Sequence, residues 1–404
     1  MTTRSWLLGV CAGCWVTLGA PQSADTQRHP ATGMAPQQQA PAVDYLVFVA
    51  SEGNDRISLV RFGPAGARVE RVSKIGRNPT EPVGPHGIGL SPDKRYYYVS
   101  TAHGFPNGAL WKFTTAGDSL KGDVTLGLFP ATLQVSPDGV FAYVVNFNLY
   151  GEMRPSSVSV VYADDMAEVA RITTCTMPHG SRLNRDGTKH YSACMMDDAL
   201  VEIDTRTLAV ARHFLLKKGA EHGATGSLSG IGNRESGIGG DHAGHGMEPP
   251  KPSDVSCSPT WAQPSVDGSK VYVACNKSSD VVEIDVATWT MTRRFPMGPG
   301  VYNLAASHDG KLLVGTNKRG QSVSVVDLAS GKEIALLPTK RKVASGVVIS
   351  PDDRYAFVTV EGIGSEPGTV EVIDLRALRT VAVVDVGQQA GGIDFWKTVP
   401  TTAH

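Results

Sequence analysis

The sequence predicts an all-β ring of short antiparallel strands, and three observations predict it. First, a phrase of the form Ser-Pro-Asp-Gly, or a near variant, recurs along the chain, beginning at Ser91, Ser136, Asn184, Ser265, Ser307 and Ser350. Second, its aspartates (93, 138, 186, 267, 309 and 352) are separated by 45, 48, 81, 42 and 43 residues. A period of roughly 40–50 residues marks a propeller or a solenoid, and the long gap is one period plus an insertion. Third, apolar and polar residues alternate with period two between Asp, Gly and Asn turns, the signature of antiparallel strands. No segment has the pattern of a long amphipathic helix, and glycine, at 44 of 404 residues, supplies many tight turns.

Composition removes several classes. Hydrophobic residues are 41% and charged residues 19%, which excludes a disordered chain. Lys and Arg number 38 against 39 Asp and Glu, so no basic excess supports nucleic-acid binding.

Taken in order, residues 1–20 pair a positive Arg4 with an apolar stretch from Trp6 to Ala20, the form of a secretory signal peptide. The stretch is shorter than the ~20 apolar residues of a membrane span. Cys11-Ala-Gly-Cys14 resembles a bacterial lipobox with Cys where Leu is usual, which makes Cys14 a candidate lipid anchor. Residues 21–43, rich in Gln, Pro, Ala and Thr, read as a flexible linker. Residues 44–397 carry the repeats, and 398–404 are a tail.

Each repeat reads as four strands. An apolar run such as Gly87–Leu90 ends at the Asp-Gly turn, and a run such as Lys270–Ala274 follows it. The third strand is Val-Glu-Ile-Asp at 201–204 and 282–285, and the fourth resembles Thr380–Val384. Six phrases make six blades, and the ends supply a seventh. Gly391–Trp396 is a first strand without followers; Tyr45–Val49, Arg56–Val60 and Arg68–Val72 are followers without a first strand. Joined, they close a seven-bladed β-propeller of four-stranded antiparallel blades, which removes free sheet edges.

The phrases Tyr143-Val-Val-Asn146, Val271–Asn276 with Val282-Glu-Ile-Asp285, and Phe357–Val360 with Val370–Asp374 resemble the repeats of YVTN/YncE-type seven-bladed propellers. The resemblance implies that fold for residues 44–397. It does not choose a function, because propellers of this architecture include the nitrous oxide reductase propeller, lactonases and surface-layer proteins.

In a propeller, the entry to strand one and the loop between strands two and three share one face, here called the top. The entry positions read His86, Ala131, His179, Thr260, Tyr302, Ser345 and Gly391. The two-three loops carry Glu52, His103, Asn148, Met195, Met196, Lys277, Lys318 and Glu361. The insertion, residues 217–255, leaves a fourth strand and is expected to rise from the same face. It holds His222, then Asp241-His242-Ala-Gly-His245-Gly-Met247, which resembles the His/Met segments of periplasmic copper-handling proteins. Imidazole with thioether favours copper. The expected metal set is therefore His86, His103, His179, His222, His242, His245 and Met247, weighed against histidines that merely shape turns or lie in solvent.

Cys194 and Cys275 both lie eight residues after their phrase Asp, while Cys175 and Cys257 precede strand one of the same blades. Antiparallel strands one and two bring these positions together, so disulfides Cys175–Cys194 and Cys257–Cys275 are expected, with a thiolate metal site as the alternative. Common hydrolase, P-loop and haem motifs are absent from the sequence. The leading expectation is an exported, monomeric binding or scaffold propeller. Its top face would hold copper, a small-molecule ligand or a partner protein. The alternatives are a propeller enzyme (a lactonase-type hydrolase or a copper oxidoreductase) and a metal-free cell-surface interaction propeller.

Overall fold

In a computed structural model, the described residues are 40–78, 80–103, 107–228 and 255–401. They form seven antiparallel sheets, six of four strands and one of five. The innermost strands are Ala390–Pro400, Pro85–Leu90, Pro130–Val135, Pro178–Leu183, Pro259–Pro264, Val301–Ala306 and Ala344–Ile349, which define blades one to seven. Each touches the innermost strands of its two neighbours, and blade seven meets blade one, so the ring closes. The expected closure is observed: Val43–Ser51 pairs antiparallel with Ala390–Pro400, from Val43 opposite Pro400 to Ser51 opposite Ala390.

Burial follows radial position. Second and third strands pack against a blade on each side, so Tyr97, Val99, Val144, Val201 and Val282 are all buried. Fourth strands lie on the rim and alternate, as in Gly66–Lys74 and Lys332–Pro338. Tyr45 and Phe62 of blade one pack on Tyr355 of blade seven with ring centroids 5.1 and 4.9 Å apart. The Tyr45 hydroxyl also donates to Asp352 at 2.7 Å, a polar clasp beside this apolar part of the closing seam.

The recurring phrase is a turn device. Its Asp side chain accepts from the backbone N–H two residues on, at Arg95, Val140, Thr188, Ser269 and Lys311. The next position has a positive φ, which Gly139, Gly187, Gly268 and Gly310 adopt freely and Lys94 and Asp353 adopt in the two variants.

Side-chain donors join neighbouring blades near the channel mouth. Thr132 Oγ1 donates to His179 O, Thr260 Oγ1 to Tyr302 O, Thr316 Oγ1 to Ser345 O and Thr359 Oγ1 to Gly391 O, at 2.5–2.8 Å. Ser100 Oγ makes the same bond to Ala131 O. Between blades four and five the donor is an imidazole, His179 Nδ1 to Thr260 O at 3.0 Å. Blades also approach closely at a glycine after the entry position. A Cβ on Gly180 would lie 2.3 Å from Thr260 O, and one on Gly392 would lie 2.5 Å from His86 O.

Both expected disulfides, Cys175–Cys194 and Cys257–Cys275, are present. The first ties the end of blade three to the second strand of blade four. The second anchors the chain as it returns from the insertion. Buried Asp198 holds the same return, accepting from the backbone N–H groups of Cys257 and Ser258 at 3.0 and 2.7 Å.

The start of the insertion differs from expectation. His222–Thr225 folds back as a fifth strand on the rim of blade four, with His222 opposite Leu215. Four strand spacings of ~4.8 Å put it roughly 19 Å from the innermost strand. His222 is therefore an exposed rim residue bonded to Ala220 O, not a lid residue over the channel. Arg294 of blade five draws the segment outward through an ion pair with Glu221 at 2.8 Å. His242, His245 and Met247 lie outside the described residues.

Two stability predictions follow from these constraints. Gly180→Ala must push blades four and five apart and is expected to cost ~1–3 kcal/mol in urea unfolding. Replacing both cysteines of the Cys175–Cys194 pair by Ala opens a 19-residue loop and is expected to lower stability by about 3 kcal/mol. An unchanged unfolding midpoint in either variant would contradict these assignments.

Candidate functional site

The first strands bring their entry residues to one end of the channel, and the two-three loops add side chains around it. Glu52 lies in a single 3-10 turn, Glu52–Asn54, between the first two N-terminal strands of blade one. Its carboxylate takes two histidines at once: His86 Nδ1 at 2.6 Å and His103 Nε2 at 2.9 Å. Gly84 makes room for this cluster, since a Cβ there would lie 2.0 Å from the His103 ring. Burial alone would raise the Glu52 carboxyl, but the bonds from His103 and His86 hold it well below the usual carboxylate range. The same bond to Glu52 raises His103.

His179 stands 6.1 Å from His86, ring centroid to centroid. Both its nitrogens are engaged. Nδ1 donates to Thr260 O, and the Tyr302 hydroxyl lies 2.8 Å from Nε2. Burial lowers the His179 pKa to about 3, with His86 adding to the effect. Burial also raises Tyr302, which keeps it a phenol able to donate. Lys318 lies over the Tyr302 ring at 3.9 Å and pairs with Glu361 at 2.8 Å. Phe129 and Phe147 wall the other side, with Phe129 5.3 Å from His86 and Phe147 4.7 Å from His179.

Deeper in the channel, Arg182 lies over the Trp261 ring, its guanidinium carbon 4.4 Å from the centroid. With His86, His179, Tyr302, Asn303 and Ser345 these residues line one cavity. Its empty volume is about 450 Å³ with the open mouth included.

The chain's fold is widely shared. It superposes on a periplasmic gluconolactonase of Pseudomonas aeruginosa with a TM-score of 0.64 and 17% identity, covering 88% of this chain and 99% of that one. A putative 6-phosphogluconolactonase of Bacteroides uniformis gives 0.62 and 14%, covering 87% and 99%. Hydrazine synthase of Kuenenia stuttgartiensis gives 0.59 and 19%, covering 81% and 98%. At these identities the likeness is one of fold. No family model matches the chain, and no curated protein matches it.

Of the expected metal set, His86, His103 and His179 meet at the channel mouth, while His222 is on the rim. Among the described residues, no group of three or more His, Cys, Asp or Glu side chains is placed to hold a metal ion. The physical reason is in the bonds. His86 and His103 each turn one nitrogen to Glu52 instead of a shared point, and Tyr302 lies at the His179 nitrogen that a metal would need. The four cysteines of the propeller form disulfides, which removes the thiolate alternative.

Tyr302 and Glu52 were visible in the sequence as top-face residues without a role. Arg182 was not singled out. Its signal was a column three residues after each entry position: Gly89, Gln134, Arg182, Gln263, Ala305, Val348 and Asp394, with one cation among them.

His190, like His179, is buried, and its pKa is lowered to about 3 by burial and by Arg182. Its ring stacks on Tyr143 at 5.3 Å. The unfolded chain titrates these rings near 6.5, so it binds more protons than the fold between about pH 6.5 and 3. Stability is expected to fall as pH drops through that window. His190→Phe removes one of the two groups and is expected to flatten the decline in urea midpoint between pH 6.5 and 4. An equally steep decline would show that His190 is already protonated in the fold.

Proposed function

We propose that this chain is an exported propeller that binds a small molecule at the top of its channel and hydrolyses a cyclic ester there. The observation that carries the reading is the Glu52–His86 pair at the channel mouth. In the neutral ring, Nδ1 donates to Glu52, and Nε2 is left able to accept a proton. Glu52 orients the ring and stabilises the imidazolium formed when Nε2 takes a proton from an attacking water. Hydroxide adds to the ester carbonyl, the ring C–O bond breaks, and the proton returns from His86 to the leaving alkoxide. The product is a hydroxy acid.

Two fold neighbours are named as lactonases, which supports the reaction class as a hypothesis. Export is supported by the two disulfides and by the signal-like N-terminus. Membership of the YVTN/YncE-type propellers belongs to the proposal too, and rests on the repeat phrases. Copper is not part of this reading: both nitrogens of His179 are bonded, and His86 and His103 each give one nitrogen to Glu52. The second reading is binding without turnover, favoured by Tyr302, which occupies the second channel histidine and leaves a single base.

Glucono-1,5-lactone hydrolysis, followed by acid release at pH 7.5, tests the proposal. Turnover above the spontaneous rate is expected. His86→Ala and Glu52→Gln are each expected to lower it roughly 100-fold or more with unchanged circular dichroism. Full activity in both variants refutes the dyad. Background rates in the unaltered protein leave the binding reading.

A further inference from the structure

The strongest unexplained feature is the cation deep in the channel. Among the described residues, Arg182 forms no ion pair, and the hydrogen bond its guanidinium makes is Nη1 to Ser181 O at 2.9 Å. Asp394 is the acid that acts on it across the channel, but that carboxylate is already taken by the backbone N–H groups of Leu90 and Phe395. His179 beside it is neutral. Burial weakens the guanidinium's hold on its proton, lowering its pKa to about 10, so it remains charged at neutral pH.

The neighbours carry unmet hydrogen-bonding capacity. Trp261 is buried and its Nε1 has no partner; Asn303 is buried and its Oδ1 has none. Both line the same cavity as Arg182. Buried polar groups are ordinarily bonded, and an unpaired one costs ~1–3 kcal/mol. The cavity lining therefore includes a guanidinium with a single hydrogen bond and two buried side chains that each carry an unpaired polar atom.

We propose that this part of the channel holds the carboxylate of a hydroxy-acid monoanion. The fork and the indole N–H take the carboxylate, and Asn303 Oδ1 accepts from a hydroxyl of the same molecule. Stacking on Trp261 leaves the guanidinium edge free for a planar, bidentate partner. One cation matches one negative charge; a phosphate dianion would leave surplus charge in a buried space. The cavity is narrow, so the carboxylate head enters it and the rest of the ligand extends to the mouth. The inference deepens the proposed function by naming its ligand class. It rests on the channel being the ligand site and does not require turnover.

Calorimetry and Trp fluorescence on the full chain at pH 7.5 test it with glycolate, gluconate and glucose as probes. A saturable response to at least one carboxylate and none to glucose is expected. Arg182→Gln is expected to weaken the carboxylate roughly 10- to 100-fold. If that variant does not fold, Arg182→Lys keeps the charge but loses the fork and is expected to bind several-fold more weakly. His86→Ala should abolish lactone hydrolysis yet keep carboxylate binding, which separates failure of the catalytic reading from failure of this one. Glucose binding as tightly as gluconate, an unchanged affinity in the folded Arg182 variant, or no saturable response to either carboxylate overturns the inference.

Discussion

The structure depends on the contact between each entry-residue carbonyl and the blade before it. A propeller has no layer crossing its centre, so the innermost strands would otherwise meet only through narrow edges. Here side-chain donors span the gap at six junctions: Ser100, Thr132, His179, Thr260, Thr316 and Thr359. At the seventh, between blades one and two, Gly392 lets the backbone approach His86 O with no side chain between. A buried carbonyl left unpaired at any of these places would cost free energy comparable to a lost hydrogen bond.

That constraint shapes the site. The hydroxyl that joins blades two and three comes from the second strand, at Ser100. In blade four the equivalent residue is Ala193, and the residue after the entry is Gly180, so neither can donate. His179 takes the role, which fixes its tautomer: Nδ1 carries the proton and Nε2 accepts from Tyr302. Burial then keeps the ring neutral. A residue that looked like a metal ligand is a structural donor, whereas His86 has its Nδ1 held by Glu52 instead of a backbone carbonyl.

The two ends of the channel differ electrically. At the mouth, Glu52 balances His86 and His103, and Glu361 balances Lys318. Further in, Arg182 stacks on an aromatic face with no acid in contact. In the proposed reading, a small molecule entering from the top meets a base first and a lone cation after it.

Much of this was legible in the sequence. Local turn chemistry repeats, so the Asp-Gly phrases marked the blades; the unmatched strands at the two termini marked the seventh. Equivalent positions within repeats also placed His86, His179 and Tyr302 at one mouth and paired the cysteines correctly. Radial position was not legible: His222 reads like a lid ligand, yet strand pairing with Leu215 and the Glu221–Arg294 ion pair carry it to the rim. Hydrogen-bond direction was not legible either. Which way an imidazole turns depends on carbonyls and hydroxyls from blades distant in the chain, as Thr260 and Tyr302 are from His179. The sequence alone determined the ring, its count of blades and the residues facing the channel, because these follow from local periodicity. Only the tertiary structure decided which of those residues are committed to holding blades together and which, like Arg182, keep unspent capacity, because that depends on partners brought together by closure.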